Sequence, residues 1–486
     1  MTRSARTPSA SCQNGSGRRA ATLEALRTLK RPKISNLSTL PSGLGDPAAA
    51  AGGATLARLA LRGDLLDFVG TPGWGETESA AVRWRPDHWL LIENGRIVGA
   101  QRETPSASAG WVCEDHSDRL ILPGFIDSHV HMPQLDVIAS YGTELLDWLN
   151  TYTFPAEARY ADPAHSRAGA ELFVDALLAH GTTAAVVFPT VHKTSVDAVF
   201  GAAQARGMRL IAGKVLQDRH SPDNLRDDVV QAERDCIELI ERWHGVDRLA
   251  YAVTVRFAPT STPEQLAMAG ALCRADASLY MQTHVAENRA EVAWVRELFP
   301  QARSYLDVYA SAGLLHRRSV LAHGIWIDDL DRAALRSSGA QIAHSPSSNL
   351  FLGSGLFDWH AAVEGGVAVS LASDVGGGTS LSMLRTMADA YKVQAMAGQR
   401  LTAWCALHAA TRGAAQALDL DAEIGSFETG RTADVCIWDW AAEPVALRRM
   451  ALARGLHERV FAWLTLADDR NLVAAYVAGR LVKKST

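Results

Sequence analysis

The stretch that decides the fold is LPGFIDSHVH at residues 122–131, an apolar run that ends in two histidines. A mostly apolar run of this length suits a strand that is buried on both faces, as in parallel sheets. Side chains alternate between the two faces of a strand, so His129 and His131 project from the same face. Two neutral imidazoles on one face are a natural start for a transition-metal site. By itself, an HxH pair more often consists of two structural histidines than of two metal ligands.

Seven further apolar runs follow, and the chain between most of them is long enough for a helix. They are TTAAVVF (182–188), RLIAGKVL (209–216), LAYAVTVRFAP (249–259), LYMQTHVAE (279–287), SVLAHGIW (319–326), QIAHSPSSN (341–349) and VAVSLASDV (367–375). Eight strands that alternate with helices predict an α/β fold, a (β/α)8 TIM-like barrel. A doubly wound parallel sheet is the alternative that this count leaves open.

Polar residues end several of these runs, and active sites of such barrels lie at the carboxyl ends of the strands. The residues at these ends are His129, His131, Arg256, His284, His323 and Asp374. One histidine on an apolar strand is more often a hydrogen-bonded core residue. Four histidines and an aspartate at equivalent positions instead favour a metal site. Imidazoles plus a carboxylate, without a thiolate, suit a catalytic zinc or iron ion with one position left for water.

Glu287 lies three residues beyond His284, at the end of the fifth run. Bound metal makes water nucleophilic near neutral pH, and a carboxylate beside that water can shuttle protons. The alternative is a helix-start role, because acidic residues in a first turn favour the helix dipole. Both roles are compatible with this sequence.

Composition excludes several classes of protein. The chain has 486 residues, more than a single typical domain, and a formal charge of −5. Because acidic and basic residues are interspersed, we expect no nucleic-acid partner. No apolar run approaches the length that crosses a bilayer, so no membrane association is expected. The six cysteines are scattered, which predicts reduced thiols in a cytoplasmic protein.

Three regions differ in character along the chain. Residues 1–53 are rich in Ser, Arg and Ala and poor in acids, which predicts a disordered N-terminal extension. A start site placed too far upstream and a transit peptide are the other interpretations of this segment. Residues 54–120 and 415–486 are β-rich, and HWLLIENGRIVGA carries an Asn-Gly hairpin signal. We expect these two segments to form a small flanking β-sandwich domain beside a barrel at residues 121–414.

Nine motifs span the predicted barrel. They are PGFIDSHVH, HMPQ (131–134), LLDWLNTYTFPAEARYAD (145–162), GTTAAVVFPT (181–190), VRFAPT (255–260), QTHVAENRAEV (282–292), LAHGIW (321–326), HSPSSNLFLGSG (344–355) and SDVGGGTSLSMLRTM (373–387). Together they resemble the motifs of the guanine deaminases within the amidohydrolase superfamily. The likeness runs from about residue 55 to residue 486 and leaves only the N-terminal tail uncovered.

The resemblance implies one zinc ion per subunit, with iron as the other candidate. Its implied ligands are His129, His131, His284 and Asp374. The resemblance also implies three catalytic roles. His323 would hydrogen-bond the attacking water, Asp374 would take a proton from it, and Glu287 would protonate the ring nitrogen beside the attacked carbon.

The same resemblance places Gln134 and Arg256 at the polar edge of the purine, with Phe257 and Trp148 as aromatic walls. Chemistry agrees, because a guanidinium and a carboxamide suit the coplanar carbonyl and ring nitrogens of guanine. Aromatic faces suit its flat surfaces. Arg256 could instead belong to a structural ion pair, and Trp148 could be a core residue on an apolar stripe with its neighbouring leucines.

The implied reaction is the hydrolytic deamination of guanine to xanthine and ammonia, by a homodimer. A deaminase of a related ring, such as 8-oxoguanine or a triazine, is the alternative. A binuclear hydrolase of cyclic amides is disfavoured, because it needs a lysine where the fourth strand offers Arg256. A non-catalytic scaffold is expected to lack ligands that this chain retains. The zinc nucleoside deaminases are excluded because the sequence contains no PCxxC.

Overall fold

The computed structural model describes residues 57–141 and 145–484, so the predicted N-terminal extension lies outside the described residues. Five cysteines fall within that range and all are free thiols. No helix of the described part of the chain is long and apolar enough to cross a membrane.

Eight parallel strands form a nearly closed barrel in which each strand pairs with the next along the chain. This confirms the predicted (β/α)8 fold. In chain order, the first to eighth barrel strands are Phe125–His131, Thr182–Phe188, Arg209–Ala212, Leu249–Val255, Tyr280–Val285, Ser319–His323, Gln341–His344 and Ala368–Leu371. A short strand, Val215–Leu216, follows the third and also pairs with the fourth.

Hydrogen bonds between the carboxyl ends of the first and eighth strands bring the two edges of the barrel together. The backbone N–H of His131 donates to the carbonyl of Val375, and that of Asp374 donates to the carbonyl of His129, both at 2.9 Å. Three of the predicted metal ligands therefore lie at the closure, His129 and His131 on one side and Asp374 on the other. Their relative position is set by backbone contacts rather than by a flexible loop.

Strand residues are buried on both faces, as their continuous apolar runs require. Ile126, Val186 and Ile211 belong to a cluster inside the barrel, whereas Val187 and Leu210 belong to the larger core between strands and helices. Burying such side chains stabilises the fold by about 1.5–3 kcal/mol each. The strands and outer helices thus share two apolar layers, and this leaves the strand ends for polar residues.

Helices follow the strands around the outside of the barrel and beyond it. They are Pro163–Ala179, Lys193–Arg206, Val229–Trp243, Pro263–Ala275, Arg289–Leu298, Tyr305–Ala312, Asp329–Ser338, Pro346–Phe351, Trp359–Glu364, Met383–Met396, Ala403–Ala409, Arg412–Ala417, Pro444–Ala451 and Leu456–Leu466. Side chains cap several of them, and Asp162, Asp228 and Thr262 each accept from backbone N–H groups of the first turn.

The connection after the first strand carries its own short helices. They are Pro133–Val137, Leu145–Trp148, Leu149–Thr153, Phe154–Ala158 and Arg159–Ala161. We call residues 132–141 and 145–162 the first connection. It packs at the mouth of the barrel, with Trp148 and Phe154 buried in one apolar cluster with Phe188 of the second strand.

The two ends of the chain combine into one β unit, as predicted, and its strands form a seven-stranded sheet. In sheet order the strands are Arg480–Lys484, Leu472–Val477, Val435–Trp438, Val112–Pro123, Arg58–Phe68, Val82–Glu93 and Arg96–Gln101. The predicted hairpin is confirmed, because the last two strands pair antiparallel around Asn94 and Gly95, both with positive φ. The buried Asp434 accepts from Arg248 at 2.5 Å and ties this sheet to the barrel.

Candidate active site

Four side chains converge at the carboxyl ends of three barrel strands. They are those of His129, His131, His284 and Asp374, and one ligand atom of each lies within 4.8 Å of all the others. The Nε2 atom of His131 is 3.1 Å from Nε2 of both other histidines. Asp374 Oδ1 is 3.2 Å from His129 Nε2 and 3.3 Å from His131 Nε2. Within the described residues, this is the one such cluster of three or more candidate ligands.

The donor set fits a metal ion. His284 Nδ1 donates to the backbone carbonyl of Arg256 at 2.6 Å, so its Nε2 carries the lone pair that faces the cluster. Burial lowers the pKa of His284 well below its usual range and the pKa of His131 to about 4, which keeps these rings neutral. Three imidazole nitrogens and a carboxylate oxygen, without thiolate, match the ligand preferences of zinc and related ions. The cluster is therefore able to bind a metal.

Asp127, which sequence reasoning did not single out, holds the two sides of this cluster together. Its buried carboxylate accepts from the backbone N–H of Ser373 at 3.0 Å and of His129 at 3.3 Å. The hydroxyl of Ser373 donates to its other oxygen. Burial raises the pKa of Asp127 to about 6, against these hydrogen bonds. Asp127 thus fixes the backbone of His129 and that of Ser373, the residue before Asp374.

His323 lies between the two carboxylates that were assigned to proton transfer. Its Nε2 is 3.5 Å from Glu287 Oε2 and 3.6 Å from Asp374 Oδ2. Its Nδ1 faces the side-chain oxygen of Asn349 at 2.9 Å, which fixes the ring. The backbone of His323 has φ of 72°, a left-handed conformation that side chains rarely adopt. This strain at the strand end accompanies a side chain that is aimed into the site.

Glu287 is buried beside the ligand cluster. Ser354 donates its hydroxyl to Glu287 Oε1 at 2.9 Å. Burial and the neighbouring Asp374 carboxylate raise the pKa of Glu287 to about 8. The structure brings Glu287, His323 and Asp374 together within hydrogen-bonding range of a single small molecule. This arrangement can pass protons between a nucleophile and a bound ring.

A second layer of buried polar groups supports Glu287 and His284, and sequence reasoning missed all of it. Glu291 Oε2 accepts from the backbone N–H of Glu287 at 3.0 Å, and Tyr305 donates to Glu291 Oε1 at 2.6 Å. Tyr309, one turn further along the same helix, donates to the backbone carbonyl of His284 at 2.8 Å. The helix Tyr305–Ala312 therefore supports both the segment that carries Glu287 and the backbone of His284.

A pocket opens onto the ligand cluster. Its lining includes all four residues that were assigned to substrate binding, namely Gln134, Trp148, Arg256 and Phe257. Trp148 is both buried with Leu145 and Leu149 and part of the pocket wall, so its two interpretations are compatible.

The position of Arg256 is likewise compatible with both of its interpretations. It lines the pocket, and its NH1 donates to the buried carboxylate of Glu157 at 2.7 Å. Glu157 Oε1 also accepts from Gln134 Nε2 at 3.3 Å. Sequence reasoning missed Glu157, which lies in the first connection and outside every strand-end pattern.

Phe188 is another residue that the sequence argument passed over. It ends the second barrel strand, and its ring centroid lies 4.8–4.9 Å from those of His129, His131 and His284. An aromatic ring against three imidazoles limits their rotation and excludes water from that side. The sequence feature that could have identified Phe188 is its position at a strand end, within the motif GTTAAVVFPT.

Comparison with known proteins agrees with this geometry. Residues 120–482 match the profile described as the amidohydrolase family. The chain belongs to the amidohydrolase family. This amidohydrolase is 42% identical over 429 residues to the guanine deaminase of Escherichia coli K12, a match that covers 87% of the chain and 97% of the relative.

Solved structures give the same result. The structure of the Escherichia coli guanine deaminase matches this amidohydrolase with a TM-score of 0.85 and 41% identity, covering 88% of the chain and 100% of the relative. A guanine deaminase from C. acetobutylicum, solved with guanine bound in its active site, matches with a TM-score of 0.79 and 26% identity. That match covers 88% of this chain and 100% of the other.

Proposed function

We propose that this amidohydrolase is a guanine deaminase that hydrolyses guanine to xanthine and ammonia. The observation that carries the proposal is that the metal-binding cluster lines the same pocket as Arg256 and Gln134, the two residues assigned to the polar edge of the purine. The 42% identity to a guanine deaminase across nearly the whole relative supports the same reaction. The bound guanine in the C. acetobutylicum enzyme supports guanine as the substrate.

Zinc is the metal that we propose for the cluster. Its ligands would be His129, His131, His284 and Asp374, because these offer the imidazole nitrogen and carboxylate oxygen donors that zinc accepts. When bound, zinc supplies the Lewis acidity that makes water a nucleophile near neutral pH. Ferrous iron accepts the same donors and is the alternative.

The protein side chains move the protons. Asp374 takes one proton from the attacking water, while His323 orients that water from between the two carboxylates. Water attacks C2 of guanine, and Glu287 delivers a proton to the adjacent N3. Asp374 then passes its proton to the amino group, which leaves as ammonia. The remaining hydroxyl proton returns to Glu287 as the C2 carbonyl of xanthine forms. Positioned acid–base groups of this kind contribute about 10²–10⁴-fold to the rate.

Substrate orientation comes from the opposite wall of the pocket. Arg256 and Gln134 present N–H and carbonyl groups to the coplanar polar edge of the purine. Phe257 and Trp148 supply flat apolar surfaces against the ring.

We further propose that the enzyme acts as a homodimer in the cytoplasm, with guanine as its small-molecule partner and no nucleic acid. Sedimentation equilibrium over a range of concentrations checks the dimer. A species of one-subunit mass at micromolar concentration would contradict it. Cell fractionation followed by immunodetection checks the location.

The reaction is tested by mixing zinc-loaded enzyme with guanine and following both products. We expect xanthine and ammonia in equal amounts, with activity lost on chelation and restored by zinc. Fully metal-loaded, folded enzyme that leaves guanine unchanged would overturn the proposed function. Restoration by ferrous iron but not by zinc would retain the reaction and replace the metal.

A further inference from the structure

The feature that the proposed function leaves unexplained is the buried carboxylate of Glu157. It is 1% exposed and does not line the pocket. Each of its oxygens nevertheless accepts from one residue that does line it, Arg256 or Gln134. We propose that Glu157 is the positioning residue that sets the enzyme's preference for a neutral purine bearing a carbonyl at C6. This inference rests on guanine being the substrate.

The contact with Arg256 fixes the direction of the guanidinium. One face of that group lies over the ring of Phe154, with Arg256 Cζ 5.0 Å from the ring centroid. Its NH1 is engaged by Glu157 at 2.7 Å. A guanidinium has five N–H donors in a rigid fork, so holding one arm directs the others. The remaining donors are thereby presented toward the pocket that Arg256 lines.

The contact with Gln134 fixes the polarity of an amide. The Nε2 end donates to Glu157 at 3.3 Å, and the Oε1 end accepts from the backbone N–H of Gly376 at 3.4 Å. A carboxylate accepts only, and a backbone N–H donates only, so a flipped amide would lose both contacts. Gln134 therefore offers donor and acceptor groups in one fixed order, which matches one arrangement of polar atoms on a ring.

The charge of Glu157 also decides what the pocket accepts. Arg256 alone would present an uncompensated buried cation, which favours an anionic ligand. Paired with the carboxylate at 2.7 Å, the two side chains have no net charge. Arg256 and Gln134 therefore select a ligand by hydrogen bonding to a carbonyl rather than by attraction to an anion. A ring that lacks this carbonyl leaves their donors unpaired. Sites of this kind discriminate strongly between ligands, because buried donors left unpaired are costly.

The experiment compares guanine with 2-aminopurine, which keeps the amino group at C2 but has no oxygen at C6. The variants are Glu157→Gln, which removes the charge, and Glu157→Asp, which keeps it but shortens the reach. The double variant Glu157→Gln/Arg256→Met removes both charges and serves as a folded reference. Kinetic constants are measured for guanine. For 2-aminopurine, kcat/KM is measured, or its competitive inhibition constant where it is not turned over.

We expect both single variants to raise KM for guanine about tenfold or more, with kcat within about threefold of wild type, since charge-assisted hydrogen bonds are weakened. The constant for 2-aminopurine should change by less than about threefold, because that ring does not use the contact. The double variant should have nearly the same KM for guanine as the single variant Arg256→Met, since the two residues act as one unit.

The matched control is Asp434→Asn, which breaks a buried aspartate–arginine pair outside the pocket, with Arg248. This variant should leave the ratio of the constants measured for guanine and for 2-aminopurine unchanged. Equal losses on both rings in the Glu157 variants, or unchanged KM for guanine, would overturn the positioning role. Wild-type enzyme that fails on guanine while turning over another ring would instead overturn the proposed function.

Discussion

The two halves of the pocket are built from different parts of the chain. The metal-binding half, with its three histidines and Asp374, comes from barrel strand ends that backbone hydrogen bonds hold in place. The half that we propose to bind the purine, called the purine-binding half, takes Gln134 and Trp148 from the first connection and Arg256 and Phe257 from the end of the fourth strand. The first connection also supplies Glu157, which accepts from Arg256 and Gln134. We propose that the chemistry depends on the strand ends. The first connection, together with the residues after the fourth strand, would determine which ring is bound.

Arg256 belongs to both halves. Its backbone carbonyl accepts from the ligand His284 at 2.6 Å, while its side chain lines the purine-binding half and pairs with Glu157. Truncating this side chain therefore separates the two halves experimentally, because the carbonyl stays. Changes in the metal-binding half should alter metal content or kcat, and changes in the purine-binding half should alter KM.

The largest effect is expected from removing a ligand. His131→Ala should bind metal poorly and lose at least about 10³-fold in activity, because the metal contributes several kcal/mol to the transition state. Metal content by plasma mass spectrometry and kcat/KM for guanine check this. His360→Ala, a histidine outside the cluster, is the control. Full activity of the variant without bound metal would remove the metal from the account.

Next in size is the loss of the proposed acid. Glu287→Gln should keep its metal and a near-normal KM while kcat falls about 10²–10⁴-fold, the usual contribution of a general acid–base group. Stopped assays with guanine and metal analysis check both. The control is Glu297→Gln on the same stretch of chain, where the glutamate is exposed. Wild-type turnover by Glu287→Gln would take this residue out of the proton path.

Arg256→Ala should mainly weaken substrate binding. We expect KM to rise about 10–100-fold, as for a lost charge-assisted hydrogen bond, with metal content unchanged. The free energy of unfolding should fall by about 3–5 kcal/mol, because Glu157 is left as a buried unpaired charge. Denaturant melts and metal analysis accompany the kinetics. Loss of zinc together with an unchanged KM would place Arg256 in the metal-binding half alone.

The smallest effect is expected from the second layer. Tyr305→Phe removes the hydroxyl that donates to Glu291 at 2.6 Å and should cost about 1–3 kcal/mol of stability. Because Glu291 holds the backbone of Glu287, kcat should fall a few-fold, with KM for guanine unchanged. Steady-state kinetics and thermal melts check this. A rise in KM with constant kcat would contradict the assignment of kcat effects to the metal-binding half and of KM effects to the purine-binding half.

The metal-binding half could be predicted from the sequence because strands impose regular geometry. Period-two alternation places His129 and His131 on one face, and the barrel brings the ends of distant strands to one rim. His284, His323 and Asp374 followed from that rule without knowledge of any contact. The eight barrel strands and the hairpin at Asn94 were predictable for the same reason, since each depends on a local pattern.

The purine-binding half was less accessible to this reasoning. Glu157 lies in a five-residue helix, and its partner Arg256 is 99 residues further along the chain. No periodicity links such positions, since their meeting depends on how the first connection folds over the barrel mouth. The same holds for Glu291 and Tyr305, whose contact joins the segment beside Glu287 to the next helix. Resemblance supplied Gln134 and Arg256, but only the structure supplied the carboxylate between them.

The most direct test of the account is a comparison of kcat/KM for guanine, adenine, cytosine, 8-oxoguanine and a triazine, using zinc-loaded enzyme and ammonia release. We expect guanine to exceed adenine and the triazine by at least about a hundredfold, because unpaired buried donors reject rings that lack its C6 carbonyl. Turnover of another ring at or above the rate for guanine would contradict the assignment of the purine-binding half. The metal-binding half would then still account for the hydrolysis.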